Sequence, residues 1–398
     1  MDAPDHSSRR WLTANTVLLA LSSLFGDVST EMLYPVLPTF LTSLGASGSI
    51  IGLIDGVAQA TQNITQGASG WLADRLQKPK PIALVGFFLA AISKPLMGLA
   101  PAWPGVFGAR VLDRLGAGTR SAPRDALIAG SVTEQDRGKA FGLEGAGDNL
   151  GAFLGPLITV LLLGVFALQL RWIFYLALIP GLLAFLMVLL VRPQPVKVAA
   201  KTRLDFNLRQ LPVAYWRYVG VVGLFCLGNS SNAFLILETQ SAGASLDLTI
   251  LIYAGYNLVA ALISYPAGWL SDRFGRKRML LLAFFVFLVA YLGFALSRDL
   301  PVIALLFAVY GLYQGMFRAV GKAFAADLVP GHLRASGIGW FSTTVGLVQL
   351  VASVVAGLLW DRVGHQAVFA FGALFALAGI LALAVFISAG RPQAPAAS

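Results

Sequence analysis

Apolar stretches of roughly 20 residues, each closed by a short polar turn, recur along all 398 residues of this chain. As a helix, each is long enough to cross a hydrocarbon core about 30 Å thick. Lipid offers the backbone no hydrogen-bond partners, so a spanning segment must be a helix or part of a closed barrel. A barrel strand reads as about ten residues of alternating polarity, whereas these runs are long and continuous, which selects helices. Composition agrees. The chain is 57% hydrophobic and 12% charged, against about 25% charged in soluble domains, too few polar groups to clothe a water-facing surface. The expected class is an all-α integral membrane protein.

The runs divide into twelve spans. The first six lie near 15–43, 48–74, 80–101, 104–131, 137–166 and 169–192, and the next six near 214–240, 246–272, 277–296, 299–329, 334–361 and 365–390. Between them, 193–213 breaks the apolar pattern with Pro193, Pro195, Lys197, Lys201, Arg203, Asp205 and Arg209. This suits a basic linker on an anionic leaflet. The expected organisation is a six-helix bundle over 1–192, a linker over 193–213 and a second bundle over 214–398 with a short tail. Lys78, Lys80, Arg137, Lys139, Arg276, Lys277 and Arg278 fall on one side, while the turns Leu44–Ser49 and Pro101–Gly105 carry no charge. Cytoplasmic loops accumulate Lys and Arg, so both termini and the linker are expected in the cytoplasm, with a bacterial inner membrane as the location. The same bias accounts for most of the net charge of +10 without a nucleic-acid partner. Arg9 and Arg10 precede an apolar run that holds Asp27 and Glu31 and lacks a clear small-residue cleavage site. That run reads as a first span and not as a cleaved signal. Cys226 is the single cysteine, and His6, His332 and His365 are scattered; no disulfide, metal site or cofactor is expected.

Gly70-Trp71-Leu72-Ala73-Asp74-Arg75 returns as Gly268-Trp269-Leu270-Ser271-Asp272-Arg273, 268 − 70 = 198 residues later. The same offset takes Arg120 to Arg318 and Arg124 to Lys322, both pairs on the fourth span of their half. Six spans per half make the two halves run in the same direction, related by an axis along the membrane normal. Such halves suit a rocker with one central pathway.

With these residues in hand, the chain resembles a major facilitator superfamily transporter over essentially its whole length. The family's loop signature reads G-x-L-x-D-R-x-G-R-K/R. The second copy matches in full through Gly268, Leu270, Asp272, Arg273, Gly275, Arg276 and Lys277. The first keeps Gly70, Leu72, Asp74 and Arg75 but has Gln77 and Pro79 further on. The resemblance implies a cytoplasmic latch built on Gly70, Asp74, Arg75, Gly268, Asp272 and Arg273 that stabilises the outward-open state. The two glycines permit close helix approach, and the aspartates can meet helix N-termini or basic side chains. A tight basic turn with a purely topogenic role is the alternative. Arg110 with Gly116 and Gly118 resembles the family's fourth-span motif, linked to proton transfer, although Arg114 stands where a glycine is usual. Gly151, Gly155 and Pro156 resemble the G-x-x-x-G-P motif of proton-driven exporters, a candidate gate, although Thr159 and Val160 replace the later glycines.

Ionisable residues inside spans are functional candidates by default. The first half holds Asp27, Glu31, Asp55, Lys94, Arg110, Asp113, Arg114, Arg120, Arg124, Asp125, Glu144 and Asp148; the second holds Arg318, Lys322 and Asp327. On the fourth span the six ionisable side chains fall within an arc of about 140° at 3.6 residues per turn, so that face looks into the bundle or a wet cavity. Mutual neutralisation in buried pairs is one reading, and it suits Arg124 and Asp125. Substrate recognition is the other: Arg110, Arg114 and Arg120 suit a carboxylate or phosphate, with Lys94, Glu144, Asp148 and Arg318 as further candidates. Asp27, Glu31, Asp55 and Arg110 are the proton-coupling candidates, since a carboxyl that alternates between wet and dry surroundings can load and release a proton. In the second half, Tyr253, Tyr256, Asn257, Gln314, Trp340 and Gln349 offer aromatic and amide contacts.

The expected function is alternating-access secondary transport, by proton-coupled export of a small amphipathic or anionic solute. Proton-coupled uptake of an organic anion is the alternative, and a non-transporting membrane sensor a third. Small-molecule substrate, protons and the lipid bilayer are the expected partners of a monomer. No P-loop, metal-ligand set or nucleophile–base constellation occurs, so an enzyme or an ATP-driven pump is not expected.

Overall fold

The computed structural model describes residues 12–133, 136–192, 211–330 and 333–387. The segment expected as a linker falls largely outside them, as do His6, His332 and the end of the last expected span. The described residues form helices α1 (Ala14–Glu31), α2 (Leu37–Ser43), α3 (Gly48–Leu76), α4 (Pro79–Leu99), α5 (Trp103–Gly130), α6 (Arg137–Val160), α7 (Leu170–Leu176), α8 (Leu178–Leu190), α9 (Val213–Cys226), α10 (Ala233–Ser241), α11 (Leu246–Phe274), α12 (Arg276–Leu296), α13 (Leu300–Asp327), α14 (Arg334–Arg362) and α15 (His365–Phe386). Eight are long and apolar enough to span a bilayer by length and composition, with α7 and α8 counted as one. Taken pairwise, α1–α2, α7–α8 and α9–α10 make single spans, and the total is twelve. α5 falls short of that apolarity because it carries the charged face.

Local signals explain the helix ends. Thr13 and Thr16 close a capping box at the start of α1, and the hydroxyls of Ser47 and Ser245 accept from Ile50 and Leu248 at the starts of α3 and α11. Proline stands in the first turn of α2, α4, α5 and α13, where its missing N–H costs nothing. α3 ends on Gln77 at φ 53 and α11 ends on Gly275 at φ 96, equivalent positions under the 198-residue offset. Glycine accepts that left-handed conformation freely, and Gln77 does so at a cost.

Three expected spans are divided, the sixth only at Ala177 between α7 and α8 and two others over longer stretches. The first changes direction between Glu31 and Leu37, around Pro35, and the seventh between Cys226 and Ala233, where the Ser231 hydroxyl accepts from the Ala233 amide at 3.0 Å. Under the 198-residue offset the first break, 32–36, maps to 230–234 and overlaps the second. Broken helices persist inside a membrane where side chains satisfy the freed backbone groups. The Thr159 hydroxyl does so at the first break, donating to the Met32 carbonyl at 2.8 Å.

α1–α8 form one half and α9–α15 the other. The halves meet along α3–α14 and α6–α11. The second half is filled by fully buried rings, among them Phe225, Phe284, Phe287, Tyr291 and Tyr313. The first half packs through small residues: Gly86 of α4 and Gly116 of α5 face each other so closely that a Cβ on either would stand 2.7 Å from the other's carbonyl oxygen. Lys80 donates to the Leu189 and Val191 carbonyls and Lys277 to the Ala384 carbonyl, so the Lys78–Lys80 and Arg276–Arg278 turns each lie beside the end of the last span of their half, called here the basic end.

Candidate functional site

The two broken spans, with α3, α5, α6, α11, α13 and α14, enclose a cavity of about 330 Å³ at mid-depth. Its walls differ in chemistry. The first half supplies Asp27, Glu31, Tyr34, Asp55, Gln59, Gln62, Arg110, Arg114, Asp148 and Asn149. The second supplies Asn229, Ser231, Asn232, Tyr253, Tyr256, Asn257, Tyr310, Gln314, Gln349 and Ser353, with Arg318 as its one cation among the described residues.

The charged wall is built around Asp113. Only 2% exposed, it pairs with Lys94 at 2.5 Å, Arg110 at 3.2 Å and Arg114 at 3.1 Å. Arg110 also reaches Asp55 at 3.3 Å and lies over the Tyr34 ring at 5.6 Å, and Arg114 donates to the Gln62 side chain at 2.9 Å. Within this cluster three cations therefore face two carboxylates. The Nε groups of Arg110 and Arg114 are buried without a hydrogen-bond partner among the described residues. Across the cavity, Arg318 is exposed and makes no ion pair among the described residues. Such a wall can take a carboxylate or a similar anion.

The second wall is aromatic and amide, and Tyr34 of the first half extends it. Tyr34, Tyr253, Tyr256 and Tyr310 follow one another at ring separations of 5.5, 5.5 and 5.6 Å. The Tyr310 hydroxyl donates to Asn232 at 2.8 Å, Asn232 donates to the Tyr256 hydroxyl at 3.2 Å, and Asn229 donates to the Tyr313 hydroxyl at 2.9 Å. These bonds fix the ring edges that face the cavity.

Hydrogen bonds between the halves roof the cavity. The Tyr253 hydroxyl donates to Glu31 at 2.9 Å, the Ser231 hydroxyl to Asp55 at 2.5 Å, Asn257 to the Ala152 carbonyl at 3.1 Å, and Gln240 to Thr39 at 2.7 Å. All lie on the side away from the basic end. Along α3, a Cβ on Gly48, Gly52 or Gly56 would collide with α14, whereas Gly67 meets nothing within 4 Å. Along α14, Gly357 and Gly346 abut α3, whereas Gly339 meets nothing. The helix pair is in contact at one end and parted at the other, so the cavity faces the basic end.

Of the residues expected at the site, Asp27, Glu31, Asp55, Arg110, Arg114, Asp148, Tyr256, Asn257, Gln314 and Arg318 come together around this cavity. Lys94, Arg120, Glu144 and Trp340 do not line it. Lys94 lies behind the wall on Asp113. Arg120 stands 3.6 Å from Asp27 and 4.7 Å over the Phe87 ring. Glu144 is held by Arg124 at 2.8 Å and by the Ser23 hydroxyl at 2.8 Å, and Arg124 also pairs with Asp125 at 3.0 Å, which pins α1, α5 and α6 together. Trp340 packs on the aromatic core. Sequence reasoning missed Tyr34 and Ser231, whose signal was only their place beside the two helix breaks.

The turn residues divide likewise. A Cβ on Gly70 would meet Ala122 at 3.2 Å, a close approach, but Gly268 faces open space, contrary to the packing expected there. Asp272 pairs with Arg276 at 2.7 Å, and Arg276 with Asp327 at 3.1 Å. Arg75 and Arg273 lie over Trp71 and Trp269 at 5.2 and 5.7 Å. The Asp74 side chain lies outside the described residues. Gly151 and Gly155 pack α6 onto α1, where a Cβ would stand 2.9 Å from the Cβ of Asp27 and of Glu31 respectively, and α6 continues past Pro156 into a π turn at Leu161–Val165.

The sequence model of the Major Facilitator Superfamily matches residues 19–237 and 218–398. An uncharacterized MFS-type transporter of Methanocaldococcus jannaschii is 33% identical over 386 residues, 95% of this chain and 96% of its own. A probable 4-methylmuconolactone transporter of Cupriavidus pinatubonensis is 27% identical over 84% of this chain and 80% of its own. The crystal structure of the nucleoside transporter NupG superposes with a TM-score of 0.76 at 15% identity, over 93% of this chain and 98% of that one. A central cavity between two parallel six-span halves, together with these matches, places this chain in the Major Facilitator Superfamily as an integral membrane transporter.

Proposed function

We propose that the protein is a proton-coupled transporter of a small organic anion with an apolar or aromatic body, working by alternating access with its basic end in the cytoplasm. The observation that carries this reading is the position of Glu31. It lies within electrostatic reach of Arg110, Arg114 and Arg318 while its hydrogen bond goes to Tyr253 in the other half. A substrate carboxylate and the Glu31 carboxylate compete for the same guanidiniums. Binding the anion therefore favours protonation of Glu31, and a proton on Glu31 weakens its bond to Tyr253. Loading and the opening of the roof are thereby coupled. The tyrosine ladder offers flat apolar surface to the remainder of the solute, and the description of one relative as a lactone transporter is consistent with a compact ring compound.

This competition supports movement of proton and anion together. Proton-driven export is the second reading, favoured by the close packing of Gly151 and Gly155 on α1 at Asp27 and Glu31. Reconstituted vesicles with an imposed pH gradient separate the two. Cotransport drives a radiolabelled organic acid towards the alkaline side, exchange drives it towards the acidic side, and flux indifferent to the gradient removes proton coupling altogether. The monomer and the inner-membrane location expected from sequence belong to the same proposal.

A further inference from the structure

The Gly-x-Leu-x-Asp-Arg-x-Gly pattern of residues 268–275 occurs again as Gly357-Leu358-Leu359-Trp360-Asp361-Arg362-Val363-Gly364, 357 − 268 = 89 residues on. Its local structure repeats too. α11 ends at Phe274, Gly275 turns the chain at φ 96, and α12 starts at Arg276; α14 ends at Arg362, Gly364 turns the chain at φ 124, and α15 starts at His365. An odd number of spans separates the two copies, so the later one lies at the end opposite the basic turns.

There Asp361 does what Asp272 does not: its carboxylate crosses to the other half. Its Oδ1 accepts from the Gly48 amide at 2.8 Å and its Oδ2 from the Ser49 amide at 2.8 Å, and the Ser49 hydroxyl donates to it as well. Gly48 and Ser49 open α3, so a full negative charge sits on two otherwise unpaired N–H groups at the positive end of a helix dipole. Charge-assisted bonds of this kind are about twice as strong as neutral ones. The two helices also approach closely there. A Cβ on Gly357 would stand 2.5 Å from the Ser49 Cα, and one on Gly48 would stand 2.7 Å from the Trp360 ring. Trp360 is itself held by stacking on His365 at 3.8 Å and by Phe234 at 5.6 Å. Asp272, by contrast, pairs with Arg276 within its own half.

We infer that Asp361 is a latch that holds the end opposite the basic turns closed, by capping the N-terminus of α3 across the two halves, and that it must release Gly48 and Ser49 each time the cavity opens at that end. Rocking the halves apart along α3–α14 separates the capped amides from the carboxylate, so the strength of this contact sets the balance between the two open states. The latch is independent of which solute is carried and of proton coupling.

The experiment measures the distance between spin labels on Ser43→Cys and Ser241→Cys, one in each half at the latch end, in full-length Cys226→Ser protein in lipid nanodiscs. The parent is expected to give a predominantly short distance. Asp361→Ala is expected to raise the ratio of long to short populations by about tenfold, the loss of charge-assisted hydrogen bonds to a helix end. Ser49→Ala, which keeps both backbone amides and removes the hydroxyl with its contacts to Asp361 and Ser47, is expected to give a smaller shift in the same direction and serves alone if Asp361→Ala does not fold. Asp361→Glu is expected to return towards the parent distribution. Unchanged distances in the folded Asp361→Ala and Ser49→Ala proteins overturn the latch.

Discussion

The hydroxyl of Tyr253 on α11 donates a 2.9 Å hydrogen bond to the carboxylate of Glu31 on α1, and this bond joins the two halves at the roof of the cavity. A hydrogen bond to a charged group contributes about 1.5–3 kcal/mol. Tyr253→Phe keeps the ring in its stack and removes only the bond. It is expected to make opening less dependent on protonation of Glu31, so that the pH-gradient stimulation of transport falls by about tenfold, with Glu31→Gln abolishing the response to a pH gradient. Vesicle flux at matched expression checks both; pH-responsive transport by Glu31→Gln would exclude Glu31 as the proton carrier.

Arg114 is held by Asp113 and Gln62, yet its buried Nε faces no partner among the described residues. Arg114→Gln and Arg318→Gln should each weaken binding of an organic-acid substrate by about tenfold to a hundredfold, the range for lost charge-assisted bonds, while the protein still elutes as a folded species. Calorimetric titration measures this, and unaltered affinity in both variants would exclude the guanidinium clamp.

Lys94 and Asp113 are each 2% exposed, and their 2.5 Å contact is deep in the first half. Lys94→Met removes one partner and leaves Asp113 on Arg110 and Arg114 alone. Because Asp113 keeps these two cations, the cost is expected to fall below about 3–5 kcal/mol, that of a buried charge left uncompensated. A clearly lowered unfolding temperature is expected, with substrate affinity falling less than in Arg114→Gln. A variant as stable as the parent would show that Lys94 contributes nothing to packing.

Gln77 takes a left-handed backbone conformation at the position where the second half has Gly275. A residue with a Cβ costs about 1–2 kcal/mol there relative to glycine. Gln77→Gly should therefore raise thermal stability and Gly275→Gln lower it. A thermal unfolding series reads both signs, and a loss of stability in Gln77→Gly would contradict the strain.

Much of the fold is legible in the sequence. Run length and turn residues locate the spans, and the 198-residue offset exposes the duplication. The two breaks, at Met32–Val36 and Leu227–Asn232, are less visible, because an apolar segment with one proline or a few small polar residues still reads as a continuous run. Helical periodicity also places the charges of α5 on one face. It does not separate Arg114, which lines the cavity, from Arg120, which turns to Asp27 and Phe87. The two differ by six residues and share the arc, and only the neighbouring helices distinguish them. The Asp361 turn carries a readable pattern as well, but its partner amides lie 313 and 312 residues away.

The sequence by itself determined that this chain is a membrane protein of two parallel halves with its buried charge concentrated in the first. Hydrophobic run length, helical period and internal repetition are local properties of the chain, and they need no knowledge of neighbours. The tertiary structure decided which charges neutralise one another and which face the cavity. It set Lys94 on Asp113, left Arg318 without a carboxylate partner among the described residues, brought Tyr253 to Glu31 across 222 residues, and brought Asp361 to the first turn of α3. An ionised side chain in a low-dielectric interior takes its role from the partner within a few ångströms, and the packing of the two halves supplies that partner.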